Sequence, residues 1–313
     1  MPYSLQEINY AVRTDPKGFV EQCDADFAKK IEKAARKIAE NRSNSRVVLL
    51  SGPSGSGKTT TAKKIEAKLE EMGIRSHAIA MDDYFLDVDP ETAPRNHQGE
   101  IDYESPFCLD MNLLNRHFRM LDQGERIHVP KFEFSRQMRS TEVGRSLRLG
   151  KDEVAIFEGI HALNDIITGK NPKAMKLYIS ARSNVVDEQG SVAFKGTWMR
   201  LARRTIRDAK FRSWGPETTI RLWASVRRGE KLYISPYKNR ADIIFDSSLP
   251  YEVSVMRNYA LPILRDVPAD NQRHDELLEL MAAFQYFEPI DPALVAKDSL
   301  LWEFIGGGSY SYH

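Results

Sequence analysis

The feature that most constrains this chain is Gly52-Pro53-Ser54-Gly55-Ser56-Gly57-Lys58-Thr59, which satisfies G-x-x-x-x-G-K-[ST]. A short apolar run, Arg46–Leu50, precedes it, and a helical run, Lys58–Met72, follows it. In that strand–loop–helix setting, glycines let the backbone wrap closely around a polyphosphate. Successive N–H groups from Gly55 to Thr60 then point inward, and the helix N-terminus adds partial positive charge at the same place. On this reading Gly52, Ser54, Gly55, Ser56, Gly57, Lys58, Thr59 and Thr60 cradle a nucleoside triphosphate. Lys58 reaches its β- and γ-phosphates, and the Thr59 hydroxyl is a ligand for Mg²⁺.

The rest of the chain fits an α/β design. Strands are expected at Arg46–Leu50, Ser76–Met81, Glu153–Phe157, Met175–Ile179 and Asp242–Phe245. Several are short runs rich in Val, Ile and Leu, as strands buried on both faces should be. Helices are expected at 19–41, Lys58–Met72, Pro106–Gln123, Thr197–Phe211 and Pro216–Gly229, with a further helical run from His274. Strands alternating with helices imply a parallel sheet flanked by crossover helices. The chain divides into an N-terminal helical extension (1–45), a central unit (46–265) and a C-terminal helical tail (266–313). The Gly-rich Ile305–Ser309 reads as a flexible end to that tail, with a contact role left open.

Composition narrows the function classes. A hydrophobic fraction of 42% and a charged fraction of 28% exclude disordered and fibrous chains. Lys+Arg 45 against Asp+Glu 44 leaves no global basic field, so nucleic acid is not the expected partner. Cys23 and Cys108 are expected as free thiols, and neither His117 nor His128 has metal-ligand spacing. Apolar runs such as Val47–Leu50 are too short for a membrane span, and Met1–Tyr10 lacks the pattern of a leader. A soluble, cytoplasmic setting is therefore expected.

Three further features bear on chemistry. Asp82, in Met81-Asp82-Asp83-Tyr84-Phe85, follows the second expected strand, whose C-terminal end opens on the ligand crevice. It could accept the proton of an attacking hydroxyl or hold metal-bound water. Asp87 and Asp89 read as ordinary turn residues. Glu158 ends the strand Val154–Phe157 in the place of a Mg²⁺-positioning acid, so Thr59, Asp82 and Glu158 make a plausible metal shell. Between Met199 and Lys231 lie ten Lys/Arg, and Arg200, Arg203, Arg204 and Arg207 share one helical face. Arginine forks clamp phosphoryl oxygens. Arg221 and Arg228 are left to a solvated face.

These features, in this order, resemble the uridine kinase/phosphoribulokinase family of P-loop kinases. The resemblance spans about 46–260 and rests on GPSGSGKTT, MDDYF, IDYESPFCLD, VPKFEF, IFEGIHAL and RLARRTIRD. It implies the P-loop NTPase fold, ATP and Mg²⁺ as cofactors, and phosphoryl transfer to a primary hydroxyl of a small-molecule acceptor. It further implies Asp82 as general base, with Lys58 and Arg207 as its catalytic companions, and Glu158 on Mg²⁺. Arg204, Arg207 and Arg212 would lie on or beside a lid around 199–231 that closes over the phosphates. On the acceptor side it implies Asp82, Tyr84, Arg204 and Asp102, the last on ribose hydroxyls. The base-reading Tyr and His of uridine–cytidine kinases are replaced here by Phe132 and Gln137, and a lid arginine is replaced near Trp214. Uridine or cytidine is the favoured acceptor, ahead of ribulose 5-phosphate or another sugar-like alcohol. A nucleotide-dependent switch or ATPase is the competing class, with an RNA-binding stripe at 199–231 behind it. A base at Asp82 discriminates, because a switch needs none. Self-association into a homo-oligomer stays open.

Overall fold

The computed structural model describes residues 2–133, 136–142, 144–271 and 273–312. Its centre is a five-stranded, all-parallel sheet built from β1 (Val47–Ser51), β2 (Arg75–Ala80), β3 (Glu153–Glu158), β4 (Met175–Ser180) and β5 (Ile243–Asp246). The spatial order is β5-β4-β1-β3-β2. All five strands fall within one residue of the expected bounds, and every residue of β1 is buried. Register aligns the strand ends. Leu50 of β1 and Ala80 of β2 both lie opposite Glu158 of β3, so three strands end at one level.

Helices cover both faces: α1 (Leu5–Thr14), α2 (Pro16–Asn41), α3 (Lys58–Glu71), α4 (Met111–Asp122), α5 (Gly196–Phe211), α6 (Pro216–Gly229), α7 (Glu252–Arg265) and α8 (His274–Gln285). α2 shows why these segments become helices. Asp15 caps it by accepting from the Gly18 N–H at 2.9 Å, with Pro16 in the first turn. Its stripe Val20, Cys23, Phe27, Ile31, Ala34 and Ile38 is buried, and Phe27 meets Phe245 of β5 edge-on at 5.3 Å. Each large apolar side chain buried this way contributes roughly 1.5–3 kcal/mol. The expected helix Pro106–Gln123 is broken. A single 3₁₀ turn, Pro106–Cys108, precedes α4, whose start is set by the Asp110 carboxylate accepting from Leu113 N–H.

The terminal segments expected as extensions share one apolar core with the sheet. Ile8, Ile31, Val48, Leu50, Leu177, Phe284 and Phe304 belong to the same buried cluster. Tyr3–Ser4 even adds a short parallel strand to Val185–Val186. The 305–309 stretch, expected as flexible, is tied down. Lys210 Nζ donates to the Ile305 carbonyl at 2.9 Å, and Ser309 N–H donates to the Lys297 carbonyl at 2.7 Å. No helix among the described residues is long and apolar enough to cross a membrane. Cys23 and Cys108 are free thiols, Cys23 buried and Cys108 only partly so.

Candidate active site

The loop between β1 and α3 takes the wrapped form that its glycines permit. Gly57 has φ +78°, and a Cβ there would lie 2.2 Å from Leu300 Cδ1. A Cβ on Gly52 would lie 2.0 Å from the Ile179 carbonyl oxygen, so the loop rests directly on β4. Lys58 Nζ lies 3.5 Å from the Pro53 carbonyl oxygen, folded back over the loop. It also lies 3.8 Å from Glu158 Oε1. Thr59 Oγ1 is 3.4 Å from Glu158 Oε2. Ser56 is fully buried, and its hydroxyl has no hydrogen-bond partner among the described residues. Thr60 is also fully buried, and its N–H and hydroxyl are both engaged by the Glu303 carboxylate.

Asp82 follows β2 in a 3₁₀ turn, Met81–Tyr84. The residue as a whole is solvent-accessible, although its carboxyl is crowded by surrounding protein. Burial raises its carboxyl above the usual range, while Lys58, Arg212 and Arg207 pull it back down. Burial likewise raises Glu158, opposed by Lys58 and reinforced by Asp82 and Glu303. The sheet register thus brings Asp82, Glu158, Lys58 and Thr59 into one electrostatic group. Thr59, Glu158 and Asp82 suit Mg²⁺, which keeps water and phosphate ligands and needs few from protein. Among the described residues no cluster of three or more His, Cys, Asp and Glu side chains forms a closed metal cage.

α5 supplies the arginines, and they divide into two kinds. Arg200 and Arg203 are buried and hold the loop itself rather than facing its ligand. Arg200 Nε donates to the Ser54 carbonyl at 3.0 Å and pairs with Glu230, while Arg203 Nη1 donates to the Gly55 carbonyl at 3.1 Å and pairs with Glu252. Arg204, Arg207 and Arg212 converge on Asp208, which is completely buried, at 3.2, 3.4 and 3.5 Å. Arg204 also donates to Ser54 Oγ at 3.0 Å, and Thr219 of α6 donates to Asp208 at 3.2 Å. Asp208 is therefore the hub that arrays the cations. Its i,i+4 spacing to Arg204 and Arg212 was readable from the sequence.

On the acceptor side the expectations need correcting. Tyr84 does not line the site: its ring is completely buried, and its hydroxyl meets His117 Nδ1 at 2.9 Å inside the core. Burial pushes His117 down to about 4, which keeps the ring neutral in this pairing. Asp102 is 2% exposed and already committed. It accepts from Arg228 Nη2 at 2.8 Å and from the Tyr233 hydroxyl at 2.9 Å. Burial pushes the Asp102 carboxyl up, but these hydrogen bonds outweigh it and hold it below the usual range. Arg228 is thus an ion-pair partner and not a solvated residue. Phe132 is buried against Phe85, ring centres 5.5 Å apart, at the base of a small hairpin with Met138–Arg139. Gln137, with φ +53°, is exposed on that hairpin's turn. Phe134 and Ser135, in the expected base-reading segment 129–136, lie outside the described residues.

Sequence reasoning missed Glu104 and His161. Glu104 packs against Gly229, where an added Cβ would fall 2.4 Å from Glu104 Cβ. Burial pushes its carboxyl up to about 7, with Asp102 and Asp82 adding to the effect and Arg204 and Arg228 opposing it. His161 is buried with its ring 6.3 Å from that of Tyr233, and burial pushes it down to about 4.

Comparison with known proteins agrees with this geometry. The profile of the Phosphoribulokinase / Uridine kinase family matches residues 47–254. The chain belongs to that family. It is 28% identical over 213 residues to a uridine kinase of Staphylococcus haemolyticus, covering 68% of this chain and 92% of that protein. A uridine kinase of Staphylococcus epidermidis (strain RP62A) is 29% identical over 210 residues, covering 67% and 91%. A solved structure described as a candidate fructose transport system kinase from Silicibacter sp. TM1040 superposes with a TM-score of 0.50 at 19% identity. It covers 69% of this chain and 98% of its own, a likeness of fold. The chain is accordingly a P-loop phosphotransferase that acts on a hydroxyl group.

Proposed function

We propose that this enzyme transfers the γ-phosphoryl group of ATP to a hydroxyl of a nucleoside or sugar-like alcohol, with Mg²⁺ as cofactor. The observation that carries the reading is the shared strand end. It sets Asp82 and Glu158 beside Lys58 and Thr59, with Arg207 and Arg212 close enough to act on Asp82. Asp82 would take the proton of the acceptor hydroxyl as its oxygen bonds to the γ-phosphorus, and the bond to the bridging oxygen breaks to release ADP. A carboxyl raised above the free value is a stronger base, and Lys58, Arg212 and Arg207 oppose the rise by favouring its charged form. Lys58, Arg207 and Arg212 would neutralise charge on the transferred group, which is the dominant demand of this chemistry. Mg²⁺, when bound, would supply further neutralisation, held by Thr59 and Glu158. The Asp208-anchored arginines on 199–231 would exclude water as a lid.

For the acceptor, uridine or cytidine is the first reading, supported by the relatives named uridine kinases. The commitment of Asp102 to Arg228 and Tyr233, and the buried Tyr84, favour a second: a different sugar-like alcohol whose binding does not rely on Asp102 or Tyr84. ADP release from Mg-ATP across uridine, cytidine, other nucleosides and ribulose 5-phosphate tests both. One acceptor raising turnover well above the basal rate supports the kinase reading and names the class. A basal rate that no acceptor changes points to a nucleotide-dependent switch.

A further inference from the structure

The C-terminal segment reaches the nucleotide loop. Glu303, on the helical turn Trp302–Ile305, is 6% exposed. Its Oε2 accepts from the Thr60 N–H at 3.0 Å and from the Thr60 hydroxyl at 2.6 Å. The Tyr312 hydroxyl lies 3.0 Å from that same Thr60 oxygen. Leu300 fills the space beside Gly57. The segment also touches α5, where Phe304 covers the Arg203 guanidinium at 5.0 Å and Lys210 holds the Ile305 carbonyl.

Thr60 N–H is one of the first-turn donors of α3 that have no partner within the helix. Such donors, with the helix dipole, are what a bound phosphate uses. A carboxylate is the same kind of anion and gains the same stabilisation there. The two cannot share one N–H, and a carboxylate left in place would face the phosphate charge at short range. The whole turn is not free to leave, however. Leu300, Leu301 and Phe304 are 0–1% exposed, and extracting each would cost roughly 1.5–3 kcal/mol. A rotation about the Glu303 side-chain bonds would free the donors without extracting those apolar side chains.

We propose that Glu303 is a built-in competitor for the phosphate cradle, a carboxylate that holds the Thr60 donors and turns away when the phosphates of ATP take them. The C-terminal segment thereby sets the affinity for nucleotide. This rests on the reading of the loop as an ATP site. Both Glu303→Gln, which removes the charge, and Glu303→Asp, which shortens the reach, weaken the competitor.

The test is calorimetric titration of ATP, and of adenosine as a phosphate-free probe, into the wild-type full chain and both variants. Thermal melting accompanies each. Expected is ATP binding tighter by roughly tenfold in Glu303→Gln, with adenosine unchanged and the melting temperature close to wild type. Glu303→Asp gives the same sign and stands in should Glu303→Gln fail to fold. ATP affinity that is unchanged or weaker in a natively folded variant overturns the competitor while leaving the ATP site intact. Wild-type and variant chains that all fail to bind ATP overturn the ATP reading itself, and the competitor with it.

Discussion

Arg203 lies completely buried beneath the nucleotide loop, and four hydrogen bonds depend on its guanidinium: two to Glu252, one to the Gly55 carbonyl and one to the Ser247 carbonyl. Arg203→Met keeps much of the stem and removes the fork. It leaves Glu252, 2% exposed, as a buried anion without its cation. Removing one partner of a buried pair costs about 3–5 kcal/mol, against a total stability of about 5–15 kcal/mol. At about 2–4 °C per kcal/mol for a chain of this class, the melting temperature should fall by roughly 6–20 °C. Arg203→Met with Glu252→Leu should recover most of that loss, because an apolar pair replaces a buried ionic one at little net cost. The double variant still lacks the donor under Gly55 and should bind ATP more weakly than wild type. Circular dichroism melts and ATP titration read both effects. A single variant within about 1 kcal/mol of wild type, or a double variant no more stable than the single, would refute the reasoning.

Asp208→Asn should lower kcat by on the order of 100-fold, because Arg204, Arg207 and Arg212 lose the anion that gathers them; steady-state kinetics on a folded variant checks this. Gly57→Ala should abolish ATP binding by titration, since the new Cβ meets Leu300 at a backbone φ of +78°. Glu104, pushed from 4.5 up to about 7, makes no difference below pH 4.5, where folded and unfolded chains both hold the proton. Between those values the unfolded chain releases it more readily, so native stability falls as pH rises and then levels off above about 7. Glu104→Gln should therefore match wild type near pH ~4 and melt at a higher temperature near pH ~8.

Much of the fold was legible because its signals are local. Strands buried on both faces read as short apolar runs, as Val47–Ser51, Glu153–Glu158 and Met175–Ser180 do, while the edge strand Arg75–Ala80 is half polar and only partly buried. The position of Glu158 and Asp82 at neighbouring strand ends beside the loop was readable because both directly follow strand-like runs. Tyr84, two residues beyond Asp82, was misread. The turn that exposes Asp82 sends the Tyr84 ring back into the core against Phe157 and His117. Partners far apart in sequence left no signal: Asp102 with Arg228, Arg203 with Glu252, and Thr60 with Glu303, the last 243 residues apart. The charged stripe at 199–231 was seen, but its division into arginines paired with Glu230 and Glu252 and arginines gathered on Asp208 depends on contacts that the tertiary fold brings in.

A base for an acceptor hydroxyl at an ATP site is needed for chemistry and not for nucleotide binding, so Asp82→Asn should separate the two. Acceptor-stimulated ADP release and ATP affinity should be measured on the same preparation. Asp82→Asn should lose turnover by on the order of 10²–10⁴-fold, with ATP binding retained. Turnover in Asp82→Asn within about tenfold of wild type would contradict it.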